Sequence, residues 1–421
     1  MRIGLIPLDE RPANTRYPAM TAATAGAELL LPPAALLSDR RRPADCRGLA
    51  AWLAAAPGLD AAVVSLEQLG YGGLIASRTG HEPAAAVLAR LEALRELRRA
   101  RPGLTIYGFS VITRVSNADD AVEEPAYWAD YGERLYALSQ LLDRRRRGQE
   151  VADELGRLEA AIPAAHRRDF LARRLRNHAV NLASLGLLED GTLDLLVLSS
   201  DDTSPYGLPS AEKAWLEGWA ELLGPAARPA LLMYPGADEV GCALVARLLN
   251  RRAGATPAVA VAYAPPGAAA NVAAFEDGPI SSTVERQIRA AGGTLAPGAG
   301  AASLWLGVNA PLPRRAEWEP AHAAAERDSR LAALSALVGE ARQRLAAGQP
   351  VALADVAYPN GADPALVELM LGGLELPRLA GYGAWNTAGN TVGAVVAQAF
   401  AAALADGPAG RAAHERLLLH R

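Results

Sequence analysis

Acidic and amide side chains gather directly after short apolar runs in this chain, a placement that suits proton transfer and hydroxyl recognition. After Ile3–Leu8 come Asp9-Glu10-Arg11-Pro12 and Asn14, and after Ala61–Leu66 come Glu67, Tyr71-Gly72-Gly73 and Ser77-Arg78. The run Thr105–Ile112 leads to Arg114 and Asn117, Leu193–Ser199 to Ser200-Asp201-Asp202 and Tyr206, and Ala230–Tyr234 to Gly236-Ala237-Asp238-Glu239. Further on stand Asp355, Tyr358, Asn360 and Asp363, then Trp385, Asn386, Thr387 and Asn390. A lone Asp or Asn at such a place ordinarily caps a helix or shapes a turn. Adjacent acids are different. They repel, and they persist where one holds a proton or a cation sits between them. Arg11 has an acid on its own segment to pair with.

Carboxylate pairs with Asn, Tyr, Trp and Arg suit sugar chemistry: one acid protonates the glycosidic oxygen while a second group stabilises the cationic centre. Adjacent acids also suit a substrate-assisted variant, in which one carboxylate orients an acetamido group and its neighbour is the general acid. Consecutive strand residues face opposite sides, so Asp201 and Asp202 can share one site only if the strand has already ended at Asp201. Other chemistries lack their parts. No histidine lies in a strand-end cluster, Ser199 and Ser200 have no G-x-S-x-G elbow, and the glycine-rich turns lack a phosphate-loop or dinucleotide spacing. Cys46 and Cys242 are too few for a metal cluster or disulfide framework, and the six histidines show no HxH or HExxH spacing.

The apolar runs alternate with amphipathic stretches: Pro83–Arg101, Ala126–Arg147, Glu239–Asn250, Ser281–Ala291 and Ala321–Ala347. With Ala258–Tyr263, Ser303–Val308, Val351–Val356, Leu379–Ala384 and a weaker Ala27–Leu31, this predicts βα units and a mainly parallel sheet. Residues about 118–181 read as a helical insertion whose basic run Arg144–Arg147 is a solvated corner, and Gly292–Ala302 reads as a loop. The fold class predicted is α/β, a modified (β/α)8-type barrel, the candidate strands exceeding the eight of a simple barrel. The alternative is two Rossmann-like halves, with a second α/β layer over 257–421.

Composition fits a globular chain, 51% hydrophobic and 21% charged, with a formal charge of -4. That balance disfavours a nucleic-acid or anionic-membrane partner. Without a signal-like N-terminus or an apolar stretch of about 20 residues, a cytoplasmic protein is expected. Lys213 is the only lysine, so arginine richness reflects base composition rather than function.

The motifs together resemble a bacterial family known as domain of unknown function 4127. The matching segments are Pro7-Leu8-Asp9-Glu10-Arg11-Pro12, Tyr71-Gly72-Gly73-Leu74 with Ser77-Arg78, Ser200-Asp201-Asp202, Gly236-Ala237-Asp238-Glu239, Asn360-Gly361-Ala362-Asp363 and Trp385-Asn386-Thr387-Ala388-Gly389-Asn390-Thr391. They run nearly the whole chain and imply one full-length unit, with no activity attached. A weaker likeness is to barrel hydrolases of N-acetylhexosaminides, which carry an Asp-Asp or Asp-Glu pair after a middle strand, and it is analogy only.

The expectation is therefore a glycoside hydrolase. Asp201, Asp202 and Glu239 are its catalytic residues. Asp9, Glu10, Arg11, Glu67, Tyr71, Arg78, Arg114, Asn117, Tyr206, Asp238, Asn360, Asp363, Trp385, Asn386 and Asn390 bind a small carbohydrate, with Trp385 or Tyr206 offering a ring face. No cofactor is expected. Two alternatives stand beside it: a divalent-metal enzyme with Asp9, Asp201, Asp238 and Asp355 as oxygen ligands, and a non-catalytic sugar-binding protein.

Overall fold

Strands in the computed structural model, which describes residues 1–312 and 320–419, form where the apolar runs stand. They are β1 (Arg2–Ile6), β2 (Glu28–Leu30), β3 (Ala61–Ser65), β4 (Thr105–Ile112), β5 (Leu195–Ser200), β6 (Leu231–Pro235), β7 (Ala258–Ala264), β8 (Thr294–Leu295), β9 (Leu304–Asn309), β10 (Val351–Asp355) and β11 (Gly381–Gly383). Two sheets result, ordered β2-β1-β3-β4-β5-β6 and β11-β10-β9-β7-β8. The chain divides into two compact units, one of Gly4–Arg11 and Leu31–Met233, the other of Met1–Ile3, Pro12–Leu30 and Tyr234–Arg421. The fold is α/β with parallel sheets, as the alternation predicts.

In the unit holding β3, β4 and β5, these strands pair in parallel, with Val64 opposite Gly108 and Ser110 opposite Leu198. Every residue of β3 and β5 is buried, the mark of a sheet covered on both faces. Helix Ala84–Ala100 shows why it docks: Val87, Leu91, Leu94 and Leu97 recur at helical spacing and are its buried residues, packing with Ala62, Val64, Ile106 and Leu196. Between β4 and β5 stand helices Trp128–Arg146, Ala152–Ala161 and Ala164–Glu189. Trp128, Leu135, Leu138, Leu155, Ile162 and Phe170 give this segment its own apolar cluster.

In the other unit, strand alternation sorts two cores. Leu304, Leu306 and Val308 of β9 with Ala352 and Ala354 of β10 face helices Val240–Ala253, Ile280–Ala290 and Ala388–Ala403. Trp305, Val351 and Leu353 face the opposite way, toward helices Pro320–Ala346 and Pro364–Gly373. Two departures from the predicted elements are short ones. The Gly- and Ala-rich segment Gly292–Ala302 contains β8, a two-residue parallel partner of β7 with no apolar run to announce it. Predicted Leu379–Ala384 contracts to β11, where glycines serve packing.

A Cβ on Gly381 would lie 2.8 Å from the Val395 carbonyl oxygen, and one on Gly383 2.8 Å from Val395 Cγ2, so helix Ala388–Ala403 approaches β11 to glycine distance. Gly381→Ala sets a methyl against backbone that cannot swing aside. It is expected to cost about 1–3 kcal/mol, read as a lower urea midpoint at unchanged m-value. A wild-type midpoint would contradict this packing.

Candidate functional site

The first cluster lies within the unit of β3, β4 and β5. Strand β5 ends at Ser200, so Asp201 and Asp202 both stand beyond the pleat, and Asp202 adopts φ +41°. The condition set for two neighbouring acids to act together is met. Asp201 is ion-paired with Arg78, whose side chain is 3% exposed and whose Nη1 also holds Glu123 at 2.8 Å. Arg114, just past β4, reaches Asp202 at 2.8 Å and Glu123 at 3.2 Å. Glu123 thus bridges the two guanidiniums, with Glu124 3.9 Å from Arg78. Arg78 is delivered by helix Leu74–Thr79 after a turn that only glycine serves: Gly72 has φ +88°, and a Cβ there would lie 2.9 Å from Ala44 N.

Burial and charge act on Asp202. Burial raises the Asp202 pKa to about 6, the adjacent Asp201 charge pushes the same way, and Arg114 opposes both. Burial likewise raises Glu124. Behind the pair, Arg174 forms a buried two-pronged bond to Glu212, 2.8 Å from Nε and 2.5 Å from Nη2, and donates to Thr113 O at 2.5 Å. Glu123, Glu124, Arg174 and Glu212 escape the sequence reading because all four lie in the insertion or on a helix.

The other predicted residues of this unit have separate places. Asp9 pairs with Arg11, Oδ2 to Nη2 at 2.6 Å, as an acid on the same segment allows, while Glu10 accepts from Ser38 Oγ and Arg40 N, both at 2.8 Å. Glu67 is fully buried, accepting from Ser110 Oγ at 2.7 Å and Val111 N at 2.8 Å, and burial raises its pKa to about 7. It ties the end of β3 to β4. Tyr71 is buried with the Arg176 guanidinium 5.0 Å from its ring centre, and Asn117 is exposed. The Arg144–Arg147 run stands at the end of helix Trp128–Arg146, with Arg145, Arg146 and Arg147 exposed. Arg144 and Arg147 lie over the Tyr206 ring at 5.0 and 4.9 Å, and Arg146 lies over Trp215. The run is an exposed helix end, as predicted, and two of its arginines also lie against the Tyr206 ring.

The second cluster lies within the other unit. Asp238 accepts from Asn14 Nδ2 at 3.2 Å and Asn386 Nδ2 at 2.9 Å. Asn390 Oδ1 accepts from the backbone N–H groups of Ala237 and Asp238, at 3.1 and 2.8 Å. Asn360 (φ +60°) donates its N–H to the Asn386 carbonyl at 2.9 Å, and Asn386 itself has φ +55°. Trp385 packs edge-on to Tyr17, centres 6.4 Å apart. Asp363 caps helix Pro364–Gly373 through Ala365 N at 3.0 Å and pairs with Arg330 at 2.9 Å. Asp355 accepts from Asn309 Nδ2 at 2.8 Å and Asp363 N at 2.7 Å, and burial raises it to about 7. Asn309 and Arg330, unpredicted, tie this part together.

Glu239 differs from its expected role. It is 0% exposed, bonded to Gln287 Nε2 at 2.8 Å, and burial lifts its pKa to about 8. A Cβ on Gly236 would fall 2.3 Å from its Oε1, and one on Gly393 2.4 Å from its Cγ. Two glycines close over this acid, which therefore sits sealed rather than at a surface a ligand can touch.

Asp9, Asp201, Asp238 and Asp355 are each engaged by their own nitrogen partners. Among the described residues no group of three or more His, Cys, Asp or Glu side chains is placed to hold a metal ion, and no helix is long and apolar enough to cross a membrane.

Parallel sheets with polar clusters at their strand ends define an α/β protein of two units, each with its own buried network. The chain belongs to the family described as protein of unknown function (DUF4127), whose model matches residues 3–421. No curated protein and no solved structure matches it.

Glu239, Glu67 and Asp355 carry a stability consequence. Their raised folded-state values, about 8, 7 and 7, mean the folded chain binds more protons than the unfolded one above about pH 4.5. The stabilisation is full below the unfolded values and fades as pH rises through 7–8. Tm is expected to fall between pH 6 and 9. Glu239→Gln, neutral at every pH, is expected to flatten the upper part of that fall, an effect on the order of a few kcal/mol. An unchanged Tm–pH curve in this variant would mean Glu239 does not carry the proton.

Proposed function

We propose that the chain is a glycoside hydrolase that acts on a terminal N-acetylhexosamine of a small carbohydrate by a substrate-assisted mechanism. The observation that carries this reading is the unequal pair Asp201-Asp202: one acid is ion-paired with buried Arg78, the other is raised to about 6 by burial. An acid that keeps its proton near neutrality is suited to donate it.

In this scheme Asp202 gives its proton to the glycosidic oxygen as the bond to the anomeric carbon breaks. The acetamido carbonyl oxygen bonds to that carbon, and Asp201 accepts the hydrogen bond of the acetamido N–H. Water then adds to the anomeric carbon as the bond from that carbon to the acetamido oxygen breaks, one water proton returns to Asp202, and the sugar is released with its acetamido group restored. Arg78 and Arg114 hold the carboxylates, and Glu123 holds both arginines. The scheme requires strands ending beside one another, not closure into a (β/α)8-type barrel. A cytoplasmic setting and the absence of a nucleic-acid partner belong to the same proposal. Glu239 and Glu67 serve as neutral structural acids here, and Tyr206 as part of the loop's support.

A panel of chromogenic glycosides tests the reading. Turnover of an N-acetylhexosaminide is expected, insensitive to chelator. Asp202→Asn is expected to lower kcat by about 10²–10⁴-fold, and the wild-type rate should decline as pH rises past about 6, where the acid is lost. Failure to hydrolyse any glycoside, or a variant as fast as wild type, would rule the reading out.

A further inference from the structure

The loop that carries Asp201 and Asp202 is fastened from outside itself. It runs to Gly207, the cap residue of helix Leu208–Ala220, which has no side chain with which to satisfy the helix's first N–H groups. Helix Trp128–Arg146 supplies what is missing. Asp143 Oδ2 accepts the Gly207 N–H at 3.1 Å, and Ser139 Oγ accepts the Leu208 N–H at 2.8 Å. One turn of that helix also presents Gln140, whose Nε2 donates to Ser204 Oγ at 3.1 Å. The approach is close: Gly207 has φ +132°, and a Cβ there would lie 3.0 Å from Gln140 Nε2 and 3.3 Å from Ser139 Oγ.

Asp143 has a side-chain exposure of 0%, and its charge is held by Arg146 at 2.9 Å and Arg147 at 2.8 Å. The same Arg147, with Arg144, covers the Tyr206 ring, and Gln149 Nε2 donates to the Tyr206 hydroxyl at 3.0 Å. A carboxylate at the first turn also suits the positive end of the helix dipole. One helix therefore reads the far end of the loop through Ser139, Gln140, Asp143, Arg144 and Arg147, while β5 fixes its near end.

We propose that Asp143 and Ser139 are positioning residues, capping helix Leu208–Ala220 in trans and thereby fixing the span from Ser200 to Leu208 that presents Asp201 and Asp202. The functional consequence rests on the hydrolase reading above; the fastening can be measured without it. Arg146 and Arg147 are 35% and 39% exposed and can turn to water when Asp143 is removed, so the damage should stay local.

Hydrogen exchange on the full chain tests this in Asp143→Ala and, as a milder change, Ser139→Ala. Exchange at Gly207 and Leu208 should quicken by about tenfold in Asp143→Ala, and by less in Ser139→Ala, while β5 amides keep wild-type rates. On any glycoside the wild type hydrolyses, Asp143→Ala should lower kcat with KM within about twofold, because placement is lost rather than binding. Unchanged exchange at Gly207 and Leu208 in both variants would overturn the proposal. So would equal acceleration along β5, which would mark a general structural role. If the wild type hydrolyses nothing yet local exchange responds as stated, the fastening stands and the hydrolase reading falls.

Discussion

Two carboxylates on neighbouring residues cannot both carry charge in a partly buried place unless cations come to them. In water their repulsion is small, but it grows as solvent is withdrawn. The structure around Asp201 and Asp202 answers that constraint. Arg78, itself almost wholly buried, is tolerable there only because Asp201 and Glu123 neutralise it. Arg114 approaches Asp202 with Glu123 on its other arm. The glycine turn at Gly72, the short helix after it and the extension of β4 to Ile112 have their common purpose in bringing these two guanidiniums to one place. The outcome is asymmetric: the burial that pushes Asp202 up is only partly offset by Arg114.

The second cluster solves a different problem. Asp238, Asn386 and Asn390 are held by one another and by backbone N–H groups, so each amide's donor and acceptor sides are assigned. Left-handed backbone at Asn360 and Asn386 is accepted where an asparagine side chain can bond locally, as Asn386 does by accepting the Thr387 N–H at 2.8 Å. Glycines at 236 and 393 let chain pass directly over Glu239. That closeness, not acidity as such, makes Glu239 a neutral interior group.

The alternation of apolar runs and amphipathic stretches was legible, because a parallel sheet covered on both faces demands continuous apolar strands. Reading the residues just after those strands found Arg78, Arg114, Asp201 and Asp202, since strand ends sit where the backbone can release a side chain. The same rule took Asp238-Glu239 for an equivalent pair. Nothing local distinguishes the two pairs, and what buries Glu239 comes from Gln287 and Gly393, far along the chain. Asp143 was hidden for another reason. At three and four residues from Arg146 and Arg147 it looks like an ordinary surface helix pair, and only the fold sets Gly207 beside it. Arg330 and Asn309 were equally silent, being an arginine inside a helix and an amide inside a strand.

The account stands on Asp202 holding its proton to higher pH than an ordinary aspartate. Carbon-13 NMR of the aspartate carboxyls, followed through a pH titration and assigned with single Asp→Asn variants, measures this directly. A midpoint for Asp202 near 6, moving upward when Arg114 is replaced by Gln, is the predicted result. A midpoint in the ordinary carboxylate range near 4, unmoved by the Arg114 change, would contradict the division of labour between these two acids.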